Sequence, residues 1–564
     1  MNLKRITFIL LGTGFVFARP HSKVATEFES RDPNSTVDVI VQYVRAPAQR
    51  HLDRVQSHGG RHRQTLDLVN GAVVSISASK LADLADDPDV ALIAPDHEVT
   101  GTLDRVAGSV NGYTLWNSLG TGVYNIGAGV GIAFIDSGIN ANHPDFKDYA
   151  TGQSRIVYTQ SFVDSNPADL YGHGTHTIGI GAGMDSSNTG ATRWFWGLAP
   201  SAKIISLKAL DANGRGTDSS VIAAINKAIQ LKSTYNIRVL NLSLGRPVTT
   251  SYKNDPLCQA VEAAWKAGIT VVVASGNLGR DNSQNNNGYG TVTAPGNDPY
   301  VITVGAVNNK GNTDRADDVI ATYSSKGPTM IDHVVKPDLV APGNRVVSYQ
   351  APGATLEKSY PANIPATQTY ASNGTSTPST YYFTLSGTSM AAPAVAGAAA
   401  MLISKNPALT PDQVKAILMK TAWRGFPASV STFDSATNKT YLAYHDIFTV
   451  GAGMLDVYAA YQSTEVPQGS ATSPIAIYDA ASKKVKLSMS PLSGTSLVWG
   501  TTGPFATSLV WGTNVSGTSL VWGTSLVWGT STMQGFSLVW GTNSPWATSA
   551  PAGESVSIAI NGEN

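Results

Sequence analysis

Cysteine and charge are both scarce in this chain of 564 residues. The single cysteine, Cys258, rules out a disulfide within the chain, so stability must come from core size, bound ions or kinetics. Cys258 lies in Leu257-Cys258-Gln259-Ala260-Val261, the pattern of a helix's apolar face. It reads as a buried structural thiol rather than a nucleophile. Charged residues make up 14%, and 39 Lys plus Arg balance 39 Asp plus Glu. That balance offers no electrostatic case for a nucleic acid or an anionic membrane as partner. Long apolar runs are missing too. The best candidate, Ile6 to Phe17, follows Lys4 and Arg5 and is too short for an ordinary membrane span. With Val16-Phe17-Ala18 as a loose cleavage pattern, residues 1–18 read as a signal peptide and predict export. What is present is 42% apolar residues, enough for a sizeable core, in a chain too long for one compact domain.

Composition divides the rest of the chain. Residues 19–102 contain a small α+β unit, with strand-like runs at Val37–Val41, Ala72–Ile76 and Val90–Ile93 around helical patterns. Residues 103–462 alternate continuous apolar runs with helices. The runs include Gly131-Ile132-Ala133-Phe134-Ile135, Lys203–Leu207, Val239–Leu242 and Thr270–Val273. Apolar strands without alternation predict a mostly parallel sheet covered by helices on both faces. Functional residues then belong outside the carboxyl ends of the strands. Near the end of this block, Thr410-Pro411-Asp412-Gln413 carries an N-cap, a proline at the first helical position and a capping box.

Three motifs carry chemistry. Asp136 ends the run Ala133-Phe134-Ile135-Asp136-Ser137-Gly138. His173 opens a glycine-rich helical segment in His173-Gly174-Thr175-His176. Ser389 opens a small-residue helix in Gly387-Thr388-Ser389-Met390-Ala391-Ala392-Pro393. A serine hydroxyl is a weak nucleophile at neutral pH. A histidine can take its proton, and a buried carboxylate can orient that histidine and stabilise its cation. A helix N-terminus offers backbone N–H groups to an oxyanion, and Asn277, in Ala274-Ser275-Gly276-Asn277, can add a side-chain amide.

These motifs, in the order Asp, His, Ser, resemble the subtilisin family of serine peptidases. Asn241-Leu242-Ser243-Leu244-Gly245 and Lys336-Pro337-Asp338-Leu339-Val340-Ala341-Pro342-Gly343 add to the resemblance, which covers residues 103–462. It implies a subtilisin-like three-layer α/β fold, preceded by a ferredoxin-like inhibitory propeptide at 19–102 and cut near Gly101 to Leu103. It implies a secreted serine endopeptidase that cleaves proteins or peptides and is made as a self-processing zymogen. Asp136, His173 and Ser389 match the triad and Asn277 the oxyanion amide, while His176 reads as structural. Gly214 and Gly216, with Ser243, Leu244 and Gly245, match strands that pair with an extended substrate. Ala274, Gly276 and Thr293 match the primary pocket. Thr293 stands where the family often has glycine, which points to small or medium apolar residues at the cleavage position. Ala394 stands where histidine is frequent, a packing position. No cofactor is needed for the chemistry; a structural calcium ion is implied by Asp145, together with 185–188 at altered spacing. The long segment between Gly343 and Ser386 has no assigned role. Two other readings are a catalytically silent scaffold that binds surfaces, which the complete motif set opposes, and a Ser-Glu-Asp relative, which His173 opposes.

Residues 463–564 read as a β-rich extension. No charge occurs from Leu487 to Gly553, and Ser-Leu-Val-Trp-Gly-Thr starts at Ser496, Ser508, Ser519, Ser525 and Ser537. Nearly six-residue spacing keeps Leu and Trp on one strand face. A solenoid, a glycan- or cell-surface-binding module and a removable sorting tail are the open alternatives. Five of ten histidines (His21, His51, His58, His62 and His97) lie before residue 103. They are either a solvated polar surface or a pH-sensitive release device for the propeptide.

Overall fold

The computed structural model describes residues 23–24, 28, 32–66, 70–95, 103–185, 195–372, 374–434, 437–479, 484–488 and 558–563. The signal segment, His21, His97, the 101–102 junction and the repeat array lie outside them. Two compact units divide at Val99 and Thr100.

The first unit is an antiparallel sheet in the order β2-β3-β1-β4 with two helices. Its elements are β1 (Thr36–Tyr43), α1 (Gln49–Ser57), β2 (Arg61–Leu66), β3 (Gly71–Ser77), α2 (Leu81–Ala85) and β4 (Val90–Pro95). Along β1, Val39, Val41 and Tyr43 are buried and the residues between them are not, so one face of the strand is in the core. Val55, Ile76, Leu81, Leu84 and Ile93 complete that core. The histidines here are not uniformly a solvated surface. His51 is buried, stacks on Tyr43 at 4.4 Å and lies 3.1 Å from the Asp89 carboxylate, while His58 and His62 are partly exposed.

The second unit is the α/β fold expected. It runs α3 (Leu103–Ser109), α4 (Gly112–Leu119), β5 (Gly131–Asp136), β6 (Ile156–Ser161), α5 (His173–Ala182), β7 (Lys203–Lys208), α6 (Asp218–Tyr235), β8 (Ile237–Leu242), α7 (Pro256–Lys266), β9 (Thr270–Ala274) and β10 (Ile302–Asn308). Then come β11 (Val319–Ile320), β12 (Leu339–Pro342), β13 (Val346–Tyr349), α8 (Thr355–Ser359), β14 (Tyr382–Leu385), α9 (Thr388–Lys405) and α10 (Pro411–Lys420). The sheet order is β6-β7-β5-β8-β9-β10, all parallel. β12 adds parallel and β11 antiparallel to β10. Every residue of β5, β9 and β10 is buried, as a sheet covered on both faces requires. The chain steps from β5 to one side for β6 and β7, then crosses to the other for β8. β5 therefore marks the topological switch point, where an α/β sheet opens a crevice at its carboxyl end.

Two nearly fully buried helices, α5 and α9, pack against each other. Glycine makes the approach possible. A Cβ on Gly397 would stand 2.7 Å from the Gly181 carbonyl, and one on Gly181 would stand 2.9 Å from the Phe134 ring. Cys258 is buried, its thiol 3.2 Å from Asn297 Oδ1, and burial pushes its pKa far up, so it is inert. Thr410 caps α10 as expected: its Oγ1 accepts from Gln413 N at 3.3 Å, and Gln413 Oε1 accepts from Thr410 N at 2.9 Å.

Composition assigns 463–479 to the extension, yet this stretch is bound to the second unit. Val335 N donates to the Pro474 carbonyl at 2.8 Å and Ser473 N to the Pro299 carbonyl at 2.9 Å. A short hairpin, β15 (Ile475–Asp479) with β16 (Lys484–Ser488), follows. Among the described residues, no helix is long and apolar enough to cross a membrane.

Candidate active site

Asp136 ends β5, at the switch point, and is buried. Its Oδ1 lies 2.7 Å from Nδ1 of His173, the first residue of α5. The carboxylate also accepts from Ser137 N at 2.7 Å and Thr177 Oγ1 at 3.2 Å. These bonds fix the imidazole with Nδ1 toward Asp136 and leave Nε2 for chemistry. Burial pulls the His173 pKa down. The charge and hydrogen bond of Asp136, with the charge of Asp169, outweigh burial and set it above the ordinary value.

Ser389 is the second residue of α9, in the first turn, whose N–H groups have no partner within the α-helical ladder. Its Oγ donates to the Ser243 carbonyl at 3.2 Å, and no hydrogen bond joins it to His173. Ser243 Oγ in turn donates to the Ser389 carbonyl at 2.9 Å, which ties α9 to the end of β8. Catalytic hydrogen bonds in sites without substrate are often long or misaligned. Asn277 Oδ1 accepts from Thr388 N at 2.9 Å and Thr388 Oγ1 at 3.1 Å. The amide Nδ2 of Asn277 is thereby left as a donor beside Gly387, whose Cβ, if present, would be 2.9 Å from it.

His173, Ser389 and Asn277 line one cleft of about 690 Å³, together with Gly214, Gly216, Ser243, Leu244, Gly245, Ala274, Gly276 and Thr293. All the predicted substrate-contact positions thus meet at one place. Thr293 is buried between two close-packed glycines: Cβ atoms on Gly245 and Gly276 would stand 2.4 Å from its Oγ1 and 2.8 Å from its Cγ2. Its branched side chain fills space that a glycine would leave open.

His176 is no base. It is fully buried, its Nε2 faces the carbonyls of Val346 and Phe383 at 3.0 and 3.1 Å, and burial and the nearby His173 bring its pKa down to about 3.

Asp145 lies outside the cleft. Its backbone carbonyl accepts from Arg155 Nη2 at 3.0 Å and Met184 N at 3.1 Å, and its carboxylate lies 3.8 Å from His143 Nδ1. Asp185 accepts from Phe195 N at 2.6 Å and Tyr382 OH at 2.9 Å. Calcium takes six to eight oxygen ligands; the described residues place two buried carboxylates here, those of Asp145 and Asp185. Residues 186–188, the other part of that expectation, lie outside the described residues.

Sequence reasoning missed Asp169. Its Oδ1 accepts from Ser137 Oγ at 2.8 Å and Gly172 N at 2.7 Å, and its Oδ2 from Thr175 N at 2.7 Å, while Ser137 Oγ accepts from Gly174 N at 2.9 Å. Asp169 and Ser137 together satisfy the first-turn amides of α5 and hold the loop that presents His173. The Gly343–Ser386 segment acquires a place as well. It forms the β13–β14 hairpin, and from it Thr355 N and Leu356 N donate to the carbonyls of Leu170 and Tyr171 at 3.0 Å each. Thr355 Oγ1 donates to the Ala212 carbonyl at 2.7 Å. The insertion therefore braces the loops on either side of His173 and Gly214.

A buried carboxylate–histidine pair at a switch point, with a serine and an amide at a facing helix start, defines a site of the serine-hydrolase class. The family model of the subtilase family (peptidase S8) matches residues 127–453, and the chain belongs to that family. It is 37% identical over 297 residues to serine protease AprX of Bacillus subtilis (strain 168), a match covering 52% of this chain and 61% of AprX. It is 34% identical over 338 residues to subtilisin DY of Bacillus licheniformis, covering 60% of this chain and 92% of that protein. Superposed on a cold adapted subtilisin-like serine proteinase, it gives a TM-score of 0.37 at 29% identity, over 53% of this chain and 83% of the other.

Proposed function

We propose that the protein is an exported serine endopeptidase, made as a zymogen, that hydrolyses peptide bonds through an acyl-enzyme on Ser389. The observation that carries this reading is the 2.7 Å Asp136–His173 contact at the rim of the cleft that also holds Ser389 and Asn277. An extended substrate pairs with the backbone of Gly214–Gly216 and Ser243–Gly245, and its side chain at the cleavage position enters toward Thr293. Room above Thr293 favours small or medium apolar residues. Ser389 Oγ attacks the carbonyl carbon while its proton passes to His173 Nε2, and Asp136 stabilises the imidazolium. The oxyanion is held by the Ser389 backbone N–H and Asn277 Nδ2. His173 then gives its proton to the leaving amine, and water repeats the sequence in reverse to free the acid.

The first unit acts as an intramolecular inhibitor that the enzyme itself removes between Gly101 and Leu103. The separate core of that unit supports the assignment. The basic and apolar character of residues 4–17 supports export. The test is to express the wild type and Ser389→Ala in a protease-free background and to sequence the N-termini. The wild type should begin near residue 102, and Ser389→Ala should retain the first unit and lose ~10⁴-fold or more of peptide hydrolysis. Equal processing of both would end the zymogen reading.

A further inference from the structure

The end of the chain returns to the second unit by a route that the cleft chemistry does not use. Residues 558–561 make one helical turn, closed by Gly562 N donating to the Ile558 carbonyl at 2.9 Å. Ile558 is buried in the main core and Ile560 packs against it. Glu563 follows, its side chain fully buried. Its Oε1 accepts from Arg280 Nη2 at 2.7 Å and Thr322 N at 2.8 Å, and from Thr322 Oγ1.

The backbone of this segment is held as well. Glu563 N donates to Asn344 Oδ1 and Asn344 Nδ2 to the Glu563 carbonyl, both at 2.7 Å. Asn363 Nδ2 donates to the Ile560 carbonyl at 2.7 Å, and Ser386 N to the Ala559 carbonyl at 2.8 Å. Gly562, at φ +63, leaves no room for a side chain: a Cβ would stand 2.5 Å from Ser386 Oγ and 2.7 Å from Asn344 Oδ1. Arg280 is 3% exposed and is held from its other side by Asp434 at 2.7 Å and by the Tyr441 ring at 4.4 Å.

A site in which a buried arginine and a threonine read a carboxylate, while two asparagines and the Ser386 amide read four backbone groups, is built for a peptide. We propose that Arg280, Thr322, Asn344, Asn363 and Ser386 form a second, non-catalytic peptide-binding site, occupied in cis by the chain's own Ile558–Glu563 and read through the Glu563 carboxylate. Two consequences follow from where it lies. Ala559 lines the substrate cleft, and the amide it binds belongs to Ser386, three residues before the nucleophile, so the docked segment is part of the cleft wall. The extension is also pinned at both ends, because Ile475 bridges Val334 on the second unit. Cutting the chain between these two attachments does not release its last residues.

The test uses the full chain carrying Ser389→Ala, so that it does not digest itself, with a site for a sequence-specific protease inserted after Pro551. After cutting, gel filtration and mass spectrometry follow the C-terminal fragment. It should co-elute with the protein. A labelled synthetic peptide of residues 557–564 should exchange into the nicked protein, and the same peptide with Glu563→Ala should compete at least ~100-fold more weakly, since a buried charge partner is lost. Immediate loss of the fragment from the nicked protein would overturn the proposal. So would equal competition by the two peptides. The substitution sits only in the free peptide, so neither result turns on whether a variant protein folds.

Discussion

The two units bury their apolar residues in different ways. In the first, the strand β1 alternates, with Val39 and Val41 inside and Ile40 between them only partly covered. In the second, β5, β9 and β10 are buried residue by residue, and α9 carries a nearly unbroken buried surface from Thr388 to Ile403. A one-faced sheet of that size has few apolar residues to lose, and single cores below ~70–80 residues seldom supply more than ~3–5 kcal/mol. The doubly covered sheet can lose one and remain folded. On the zymogen reading proposed here, the unit that is removed and the unit that lasts are written in different strand patterns.

The largest effects should come from the second unit's site. Asp136→Asn should lower kcat/KM by ~10⁴-fold with the fold intact by circular dichroism, because the imidazole loses its orienting charge. An unchanged rate would show that this pair is not the catalytic one. Asn277→Ala should cost ~10²–10³ in kcat, the size of such a donor in a subtilisin, with KM little changed. If KM rose and kcat held, Asn277 would be a ground-state contact instead.

The contrast between cores is tested in the Ser389→Ala background by limited proteolysis. Ile76→Ala in β3 and Ile204→Ala in β7 each remove a fully buried side chain, at a cost of about 2–5 kcal/mol. The first should expose the first unit to digestion, and the second should leave both units protected. Equal sensitivity would erase the difference drawn above.

The smallest effect is a shift along the pH axis. His173 must be neutral to take the serine proton, so activity falls as pH drops through its pKa. With that pKa raised, the acid limb of kcat/KM should lie above pH 6.5, and in Asp136→Asn the limb should move to lower pH, as burial is then opposed by the charge of Asp169 without that of Asp136. The sign for stability is opposite. The charged His173–Asp136 pair stabilises the fold fully below the unfolded value of about 6.5, and that contribution is lost as pH rises through the higher folded value.

Much of this architecture is legible in local patterns. Unalternated runs such as Gly131–Ile135 announce a covered parallel sheet, and Thr410 with Gln413 announces a helix start, because both depend on neighbours within a few residues. The proposed triad is legible because each member carries its own motif. Asp169 has none: its meaning lies in Ser137, 32 positions away, and in amides that only the folded loop brings together. Arg280 and Glu563 are 283 positions apart, and no period in the sequence links them. The resting bond of Ser389 to the Ser243 carbonyl is likewise a matter of one torsion, which composition does not encode.

The crossing of α5 and α9 at Gly181 and Gly397 carries a further meaning for motion. The helices that begin at His173 and Thr388 meet there with no room for a side chain on either glycine. On the proposed mechanism the Ser389 hydroxyl must leave the Ser243 carbonyl before attack, and a side-chain rotation of that kind is a picosecond-to-nanosecond event. Any regulation of turnover must enter from the cleft walls: the insertion braced on Tyr171, and the chain end at Ala559.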